Sequence, residues 1–434
     1  MTDDERVRDL QRKLYRKAKE DREYRFYVLY DKVCLPYVLR ESYRRVKANH
    51  GSPGVDGMTF KALEKQGETE FLEQIRMELV DKSYRPSPVK RVMIPKANGK
   101  MRPLGIPTIK DRVVQQACKM VIEPIFEADF QEGSYGFRPK RSAEDAVKEI
   151  KGHLEAGREQ VYDADLSSYF DTIPHRKLLI LIGMRVSDRQ ILHLIKQWLK
   201  APVMEEGKLS GGKSNHTGTP QGGVISPLLA NIYLNLVDKL INRMKEIPED
   251  IRIVRYADDF VLLGRKISDR VLTKLQEVLG RMELTLNTEK TKIVNAAEES
   301  FDFLGFTFHK RWSRTERGVK YYHVHPSMKA MKKVRANIKD YLKSNLHQGK
   351  HVVIKELNMK VRGWMNYFTI PGTSHMWKAT NMFKGYLKES LYRYHRRKSQ
   401  RYNERYCQNA YYVWVQKEGL VDPVAHWEAA TSKA

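Results

Sequence analysis

In the stretch Ile253-Val254-Arg255-Tyr256-Ala257-Asp258-Asp259-Phe260-Val261-Leu262-Leu263, two adjacent acids interrupt a run of β-branched, aromatic and aliphatic residues. The pattern predicts a strand, a two-residue turn and a returning strand, with carboxylates at the tip of a hairpin. Like charges placed so closely repel, and bound divalent cations are a common compensation. An Asp-Asp turn kept for local hydrogen bonding is an equal reading of the tetrapeptide alone.

A second acidic constellation lies upstream. Val161, Asp163 and Asp165 alternate as in a strand, and Tyr169-Phe170-Asp171 follows where the strand gives way to a turn and a helix. The competing reading is a strand edge kept soluble by charge. Three acids from two separated strands, Asp165, Asp258 and Asp259, can converge on one cluster and hold two Mg²⁺ ions. Such a pair activates a 3′-hydroxyl and stabilises the leaving oxygen of an in-line phosphoryl transfer.

Other stretches must position substrate around such a cluster. Residues 85–108 read as two short strands joined at Asn98-Gly99, a basic hairpin able to set Lys96, Lys100 and Arg102 around a phosphate-bearing ligand. A Gly-rich turn, Gly218-Thr219-Pro220-Gln221-Gly222-Gly223, runs into a helix and lets backbone and Gln221 approach a ligand closely. Taken alone, the first could be a solvated hairpin and the second a tight interdomain turn. Helical periodicity marks residues 69–81, 110–130, 142–155 (with Ser142 as N-cap), 188–199 and 268–286. Phe301 to Phe308 alternates around Gly305, the signal of a strand with a bulge or close backbone approach.

The chain has 434 residues, 41% hydrophobic and 10% aromatic, enough for two or three cores. Its 79 Lys and Arg against 53 Asp and Glu leave +26, which points to a polyanion, most often nucleic acid. The charge is clustered: residues 310–405 hold 24 Lys and Arg against 5 Asp and Glu, or +19 of the total. From about His309 onward the pattern predicts basic amphipathic helices near residues 326–346, 352–367 and 378–405. Within them Arg362-Gly363-Trp364-Met365-Asn366-Tyr367-Phe368 interleaves Arg with aromatics, a composition suited to phosphate and base contacts, although packing in a helical core is the commoner role for each aromatic. Cys34, Cys118 and Cys407 are too scattered for a disulfide framework or a paired zinc motif, so a reducing, cytosolic setting is expected. No apolar run approaches a membrane span, and no membrane partner is expected.

Seven ordered motifs carry a resemblance. They are Arg102-Pro103-Leu104-Gly105-Ile106-Pro107, Ser134-Tyr135-Gly136-Phe137-Arg138-Pro139, Asp163-Ala164-Asp165-Leu166 with Tyr169-Phe170-Asp171, and Thr219-Pro220-Gln221-Gly222-Gly223. Tyr256-Ala257-Asp258-Asp259, Leu286-Asn287-Thr288-Glu289-Lys290-Thr291-Lys292 and Phe303-Leu304-Gly305-Phe306 complete the series. Together they resemble the reverse transcriptases encoded by bacterial group II introns, and the run from Arg362 to Phe368 resembles the maturase, or thumb, region of that family.

The resemblance implies an α+β right-hand polymerase, with fingers and a palm built on an antiparallel sheet, followed by an α-helical thumb. The expected division is an N-terminal helical extension over 1–48, fingers and palm over 49–308, a thumb/maturase domain over 309–405, and a short closing segment over 406–434 that leaves no room for an endonuclease. The implied activity is RNA-directed DNA polymerisation with binding of intron RNA that assists splicing and mobility. Asp165, Asp258 and Asp259 would be catalytic metal ligands for two Mg²⁺ ions, with Mn²⁺ as a substitute. Lys96 and Arg102 would contact the incoming dNTP, Gln221 would lie beside it, and Phe170 or the adjacent Tyr169 would block a ribose 2′-hydroxyl. Leu304 and Gly305 fall at the primer grip, and Lys290 or Lys292 would donate a proton to pyrophosphate. Arg138, Arg362, Trp364, Arg396 and Arg397 are expected nucleic-acid contacts. The implied partners are an RNA template, a DNA primer, dNTPs and intron RNA in a ribonucleoprotein in the bacterial cytoplasm, associated with the nucleoid; the oligomeric state is open. A splicing maturase with a vestigial polymerase site, and a domesticated reverse transcriptase in defence or DNA repair, are the competing readings. The intact acidic triad argues against the first, because a site released from catalysis has no physical reason to keep repelling carboxylates.

Overall fold

The computed structural model describes residues 1–95, 99, 101–220, 222–243, 250–313, 317–398 and 403–432. Within it the chain forms two compact units, each assembled from separated segments: residues 1–141, 163–261 and 268–292 in the first, and 142–162, 262–267 and 293–434 in the second.

The first unit begins with the expected amphipathic helices, Asp3–Glu20 and Pro36–Ala48, with a single turn, Tyr30–Val33, between them. They pack against the long helix Ile109–Glu127. Thr108 caps that helix by accepting from the Asp111 amide. Asp111 is itself buried and accepts from the Tyr84 hydroxyl at 2.7 Å, while the Trp198 indole donates to Tyr84 at 3.0 Å. Each buried polar group in this chain of contacts therefore has a partner, the condition for burying it at low cost.

Strands β1 (Val89–Pro95) and β2 (Met101–Ile106) form the expected antiparallel hairpin. With β3 (Gln160–Ala164) following later in the chain, the hairpin is extended by β4 (Pro202–Glu205) and β5 (Lys208–Gly211) in the order β2-β1-β4-β5, with β4 parallel to β1. Neither β4 nor β5 is signalled by the residue pattern: each is four residues long, β4 half-buried and β5 exposed throughout. Strands β6 (Arg252–Tyr256), β7 (Asp259–Gly264) and β8 (Lys292–Asn295) join β3 in a second sheet of order β6-β7-β3-β8. The acid-bearing ends of β3, β6 and β7 all belong to the first unit.

The second unit holds β9 (Phe301–Phe303), β10 (Phe306–Trp312) and β11 (Lys320–Pro326), an antiparallel sheet of order β11-β10-β9. This corrects one expectation. The stretch around Gly305 is not one bulged strand but a two-residue hairpin, with Leu304 at φ 50° and Gly305 at φ 81°. Positive φ at both turn residues matches the right-handed twist of the flanking strands. Strands β10 and β11 fill the stretch between His309 and the first basic helix, with burial alternating along β11.

The helices Met328–Ser344, Lys350–Phe368 and Trp377–Lys398 follow, their apolar stripes buried through Ile338, Leu357, Val361, Phe383 and Leu387. Two more helices, Glu404–Lys417 and Pro423–Thr431, are fastened to this bundle. Lys384 pairs with Asp422 at 2.7 Å, Asn358 bridges Gly419 and Val421, and Trp414 is 1% exposed. Among the described residues no helix is long and apolar enough to cross a membrane.

Candidate active site

The turn that carries the acids lies one residue earlier than the tetrapeptide suggests. Ala257 and Asp258 form it, Ala257 with φ 60°, and Asp259 opens β7. A left-handed alanine carries backbone strain, so something must hold it there.

Arg255 does. Its side chain is wholly buried and pairs with the buried Asp238, the closest contact being 2.6 Å. The same guanidinium donates to Asn231 Oδ1 at 2.9 Å, to Ser134 Oγ at 2.6 Å and to the Ala257 carbonyl at 2.9 Å. A buried guanidinium with its donors satisfied fixes geometry, and removing one partner leaves an uncompensated charge. The loop that supplies Ser134 runs beside β6: Tyr135 N donates to Arg255 O at 2.8 Å and Arg255 N to Gly133 O at 2.7 Å. Gly136 lies so close that a Cβ there would overlap the Ala257 amide.

Asp165 follows β3, and its backbone carbonyl accepts from the Asn287 amide at 2.8 Å. Its Oδ2 receives Lys290 Nζ at 2.8 Å and Asn287 Nδ2 at 3.2 Å. The three acids influence one another. Burial pushes the Asp258 carboxyl up, and the Asp165 charge adds to this, while Arg102 and Lys290 pull the other way. Asp259 keeps an exposed edge, yet the protein crowded around it desolvates the carboxylate, and with Asp258, Asp165 and Asp163 nearby it is pushed up to about 6. The hydrogen bond to Asp165 raises Lys290, so that lysine stays protonated. Local charge is therefore unbalanced toward the negative, and hard carboxylate oxygens are the ligands that a divalent cation of the Mg²⁺ type prefers. Among the described residues no three His, Cys, Asp or Glu side chains are already gathered in metal-holding geometry. In this arrangement Lys290 occupies one Asp165 oxygen.

Arg102 on β2 is exposed, and its charge reaches Asp258. Lys96, Lys100 and Gln221 lie outside the described residues. Thr219 N donates to the Phe170 carbonyl at 2.7 Å, and Gly222 at φ 111° presses against the Gly105 carbonyl, where a Cβ would clash. Tyr169 is 2% exposed and its hydroxyl donates to the Ala230 carbonyl at 2.6 Å, so its ring is committed to the core; Phe170 beside it is half-buried. Of the two lysines, Lys290 contacts an acid, whereas Lys292 opens β8 with its side chain exposed.

Arg138 is drawn into the loop. Its guanidinium turns inward onto Glu127 at 2.6 Å and onto the Gln131 and Ser134 carbonyls, both at 2.6 Å, and so shapes the loop. In the second unit, Leu304 O accepts from the Tyr367 hydroxyl at 2.9 Å and Gly305 O from Ser327 N at 2.7 Å. Trp364 packs on Phe368 and Phe383, with centroids at 5.0 and 4.9 Å, so it is a bundle residue before it is a contact. Arg362, Arg396 and Arg397 are exposed.

The Arg255–Asp238 pair is the functional feature that sequence reasoning missed. The signal was present: a charged residue in the middle of an apolar strand must find a buried counter-charge.

Among the described residues the α+β chain carries three sheets, a helical C-terminal bundle and acids at strand ends, and its sequence identifies the class to which these belong. Residues 94–308 match the family model "Reverse transcriptase (RNA-dependent DNA polymerase)", and residues 331–408 match "Group II intron, maturase-specific domain". The chain is 37% identical over 346 residues to Protein YkfC of Escherichia coli (strain K12), covering 71% of this chain and 90% of that protein. It is 33% identical over 292 residues to the group II intron-encoded protein LtrA of Lactococcus lactis subsp. cremoris, covering 64% of this chain and 48% of LtrA, so it spans about half of that relative. Nuclear intron maturase 3, mitochondrial, of Arabidopsis thaliana is 25% identical over 290 residues, or 59% of this chain and 38% of that one. The chain belongs to the group II intron reverse transcriptase/maturase family and is an RNA-directed DNA polymerase.

Proposed function

We propose that the protein extends a DNA primer on an RNA template with dNTPs, using two Mg²⁺ ions held by Asp165, Asp258 and Asp259, with Mn²⁺ as a substitute. The observation that carries this reading is the gathering of acids at one hairpin tip: burial, with the charges of Asp258, Asp165 and Asp163 added to it, brings Asp259 up to about 6. When bound, such ions supply activation of the primer 3′-hydroxyl and stabilisation of the leaving oxygen. Arg102, whose charge already reaches Asp258, contacts the triphosphate together with Lys96, and Gln221 lies beside the nucleotide. Phe170 is the ring that blocks a ribose 2′-hydroxyl; the buried Tyr169 supports it from below, with centroids 5.5 Å apart. Lys290, protonated beside Asp165, donates to pyrophosphate.

Leu304 and Gly305 grip the primer, and Arg362, Arg396 and Arg397 offer a basic surface to intron RNA, in a cytoplasmic ribonucleoprotein that promotes splicing and mobility. Fingers and palm over 49–308 and a thumb/maturase domain over 309–405 are the functional division this reading implies. The test is DNA synthesis on a primed RNA template: incorporation that requires a divalent ion and stops on chelation is expected, and absence of synthesis from a folded, RNA-binding preparation would overturn the polymerase reading.

A further inference from the structure

Phe137 is a large apolar side chain that the fold holds out in solvent. It is 54% exposed, and its φ is 57°. A bulky side chain in the left-handed region is a genuine outlier and carries backbone strain. Burial does not offset that strain here, since the ring covers no core. Such strain persists only where the surroundings over-determine it.

The surroundings do. On one side, Gly136 lies against the Ala257 amide, and its carbonyl accepts from the buried Asn231 amide at 2.8 Å. On the other, Arg138 is locked onto Glu127, Gln131 and Ser134. With both neighbours held by these contacts, the Phe137 side chain stays exposed on the loop that packs beside the turn carrying Asp258. Lys140, exposed and also left-handed at φ 58°, stands three residues on. An exposed ring with a cation three residues away in sequence, on the loop that packs beside the acid-bearing turn, has the composition of a stacking platform for a nucleic-acid strand.

We infer that Phe137 stacks on an unpaired nucleobase of the bound template, with Lys140 at the adjoining phosphate. The inference rests on the polymerase reading for the identity of its strand. It differs from the dNTP contacts above in acting on the template and not on the nucleotide.

The test compares wild type with Phe137→Ala, Phe137→Gly and Phe137→Trp on two substrates, a primer–RNA duplex with a 5′ single-stranded template overhang and the same duplex blunt-ended. Dissociation constants come from fluorescence anisotropy and extension from single-turnover assays. The Ala and Gly variants are expected to bind the overhang substrate about tenfold more weakly and the blunt duplex as wild type does, whereas Trp retains affinity. Phe137→Gly should melt at or above the wild-type temperature, because glycine adopts this φ without strain. That variant keeps the test decisive if Phe137→Ala folds poorly. Unchanged overhang affinity, or equal loss on both substrates, overturns the inference. Wild-type extension with Phe137-independent binding sinks the stacking alone; a Phe137-dependent overhang preference without extension sinks the polymerase reading alone.

Discussion

Two hairpin tips carry the most specific geometry in the molecule, and they are held by opposite means. The tip of β6 and β7 bears carboxylates, and beneath its strained Ala257 lies a fully buried ion pair, Arg255–Asp238. The tip of β9 and β10 bears no charge on its turn residues and is anchored by neutral contacts. The Tyr367 hydroxyl reaches Leu304 O, Ser327 N reaches Gly305 O, and Phe306 packs on Tyr367 and Phe368 with centroids at 5.8 and 4.9 Å. The sheet behind the second tip follows the same rule. Burial, with Arg311 and the neighbouring imidazoles, pushes His323 down to about 3 and His309 down to about 4, so both stay neutral. The difference teaches where charge is tolerated. A turn that must present repelling acids is fixed by a charge network below it, and a turn that shapes a surface is fixed by packing.

Substitutions at each tip can break this contrast. Arg255→Leu should have the largest effect on stability, about 3–5 kcal/mol by denaturant titration, because Asp238 is then left buried and unpaired. Adding Asp238→Leu should recover most of that loss, yet DNA synthesis should stay impaired because Ala257 has lost its anchor. Recovery of both would show that the pair serves stability alone. At the other tip, Gly305→Ala should cost about 1–2 kcal/mol from its φ of 81°. The nearest atom to the added methyl, Phe368 Cζ at 3.4 Å, is at ordinary contact distance, so no clash adds to that cost.

The smallest effect is expected in the pH dependence of the second unit. His309 and His323 titrate lower in the fold than the ordinary histidine value of about 6.5. Unfolded chains then bind more protons, so their contribution to stability is complete above about pH 6.5 and is lost as pH falls toward the folded values. The melting midpoint should drop between about pH 7 and about pH 5. His323→Phe should flatten that drop, and an unchanged slope would contradict the assignment.

Much of this was legible in the residues. Helix limits near 69–81, 110–130 and 188–199 follow from apolar periodicity, and Ser142 does cap its helix, in a reciprocal capping box with Asp145. The acid-bearing hairpin followed from one polar break in an apolar run. What escaped detection depends on contacts distant in sequence. Strands β4 and β5 are too short to show a pattern, the Leu304–Gly305 hairpin mimics one continuous strand, and the inward turn of Arg138 is set by Glu127 and the Ser134 carbonyl. Likewise, Arg255 looks like any strand residue until Asp238 and Asn231 from the helix Ser226–Arg243 are brought beneath it.

The central claim is that the charged tip performs the chemistry while nucleic-acid affinity resides elsewhere. Its most direct test measures magnesium-dependent primer extension and RNA affinity side by side for wild type and Asp258→Ala. The account predicts that synthesis falls by about a thousandfold or more while RNA affinity stays within about twofold. Equal loss of both, or undiminished synthesis, would contradict it.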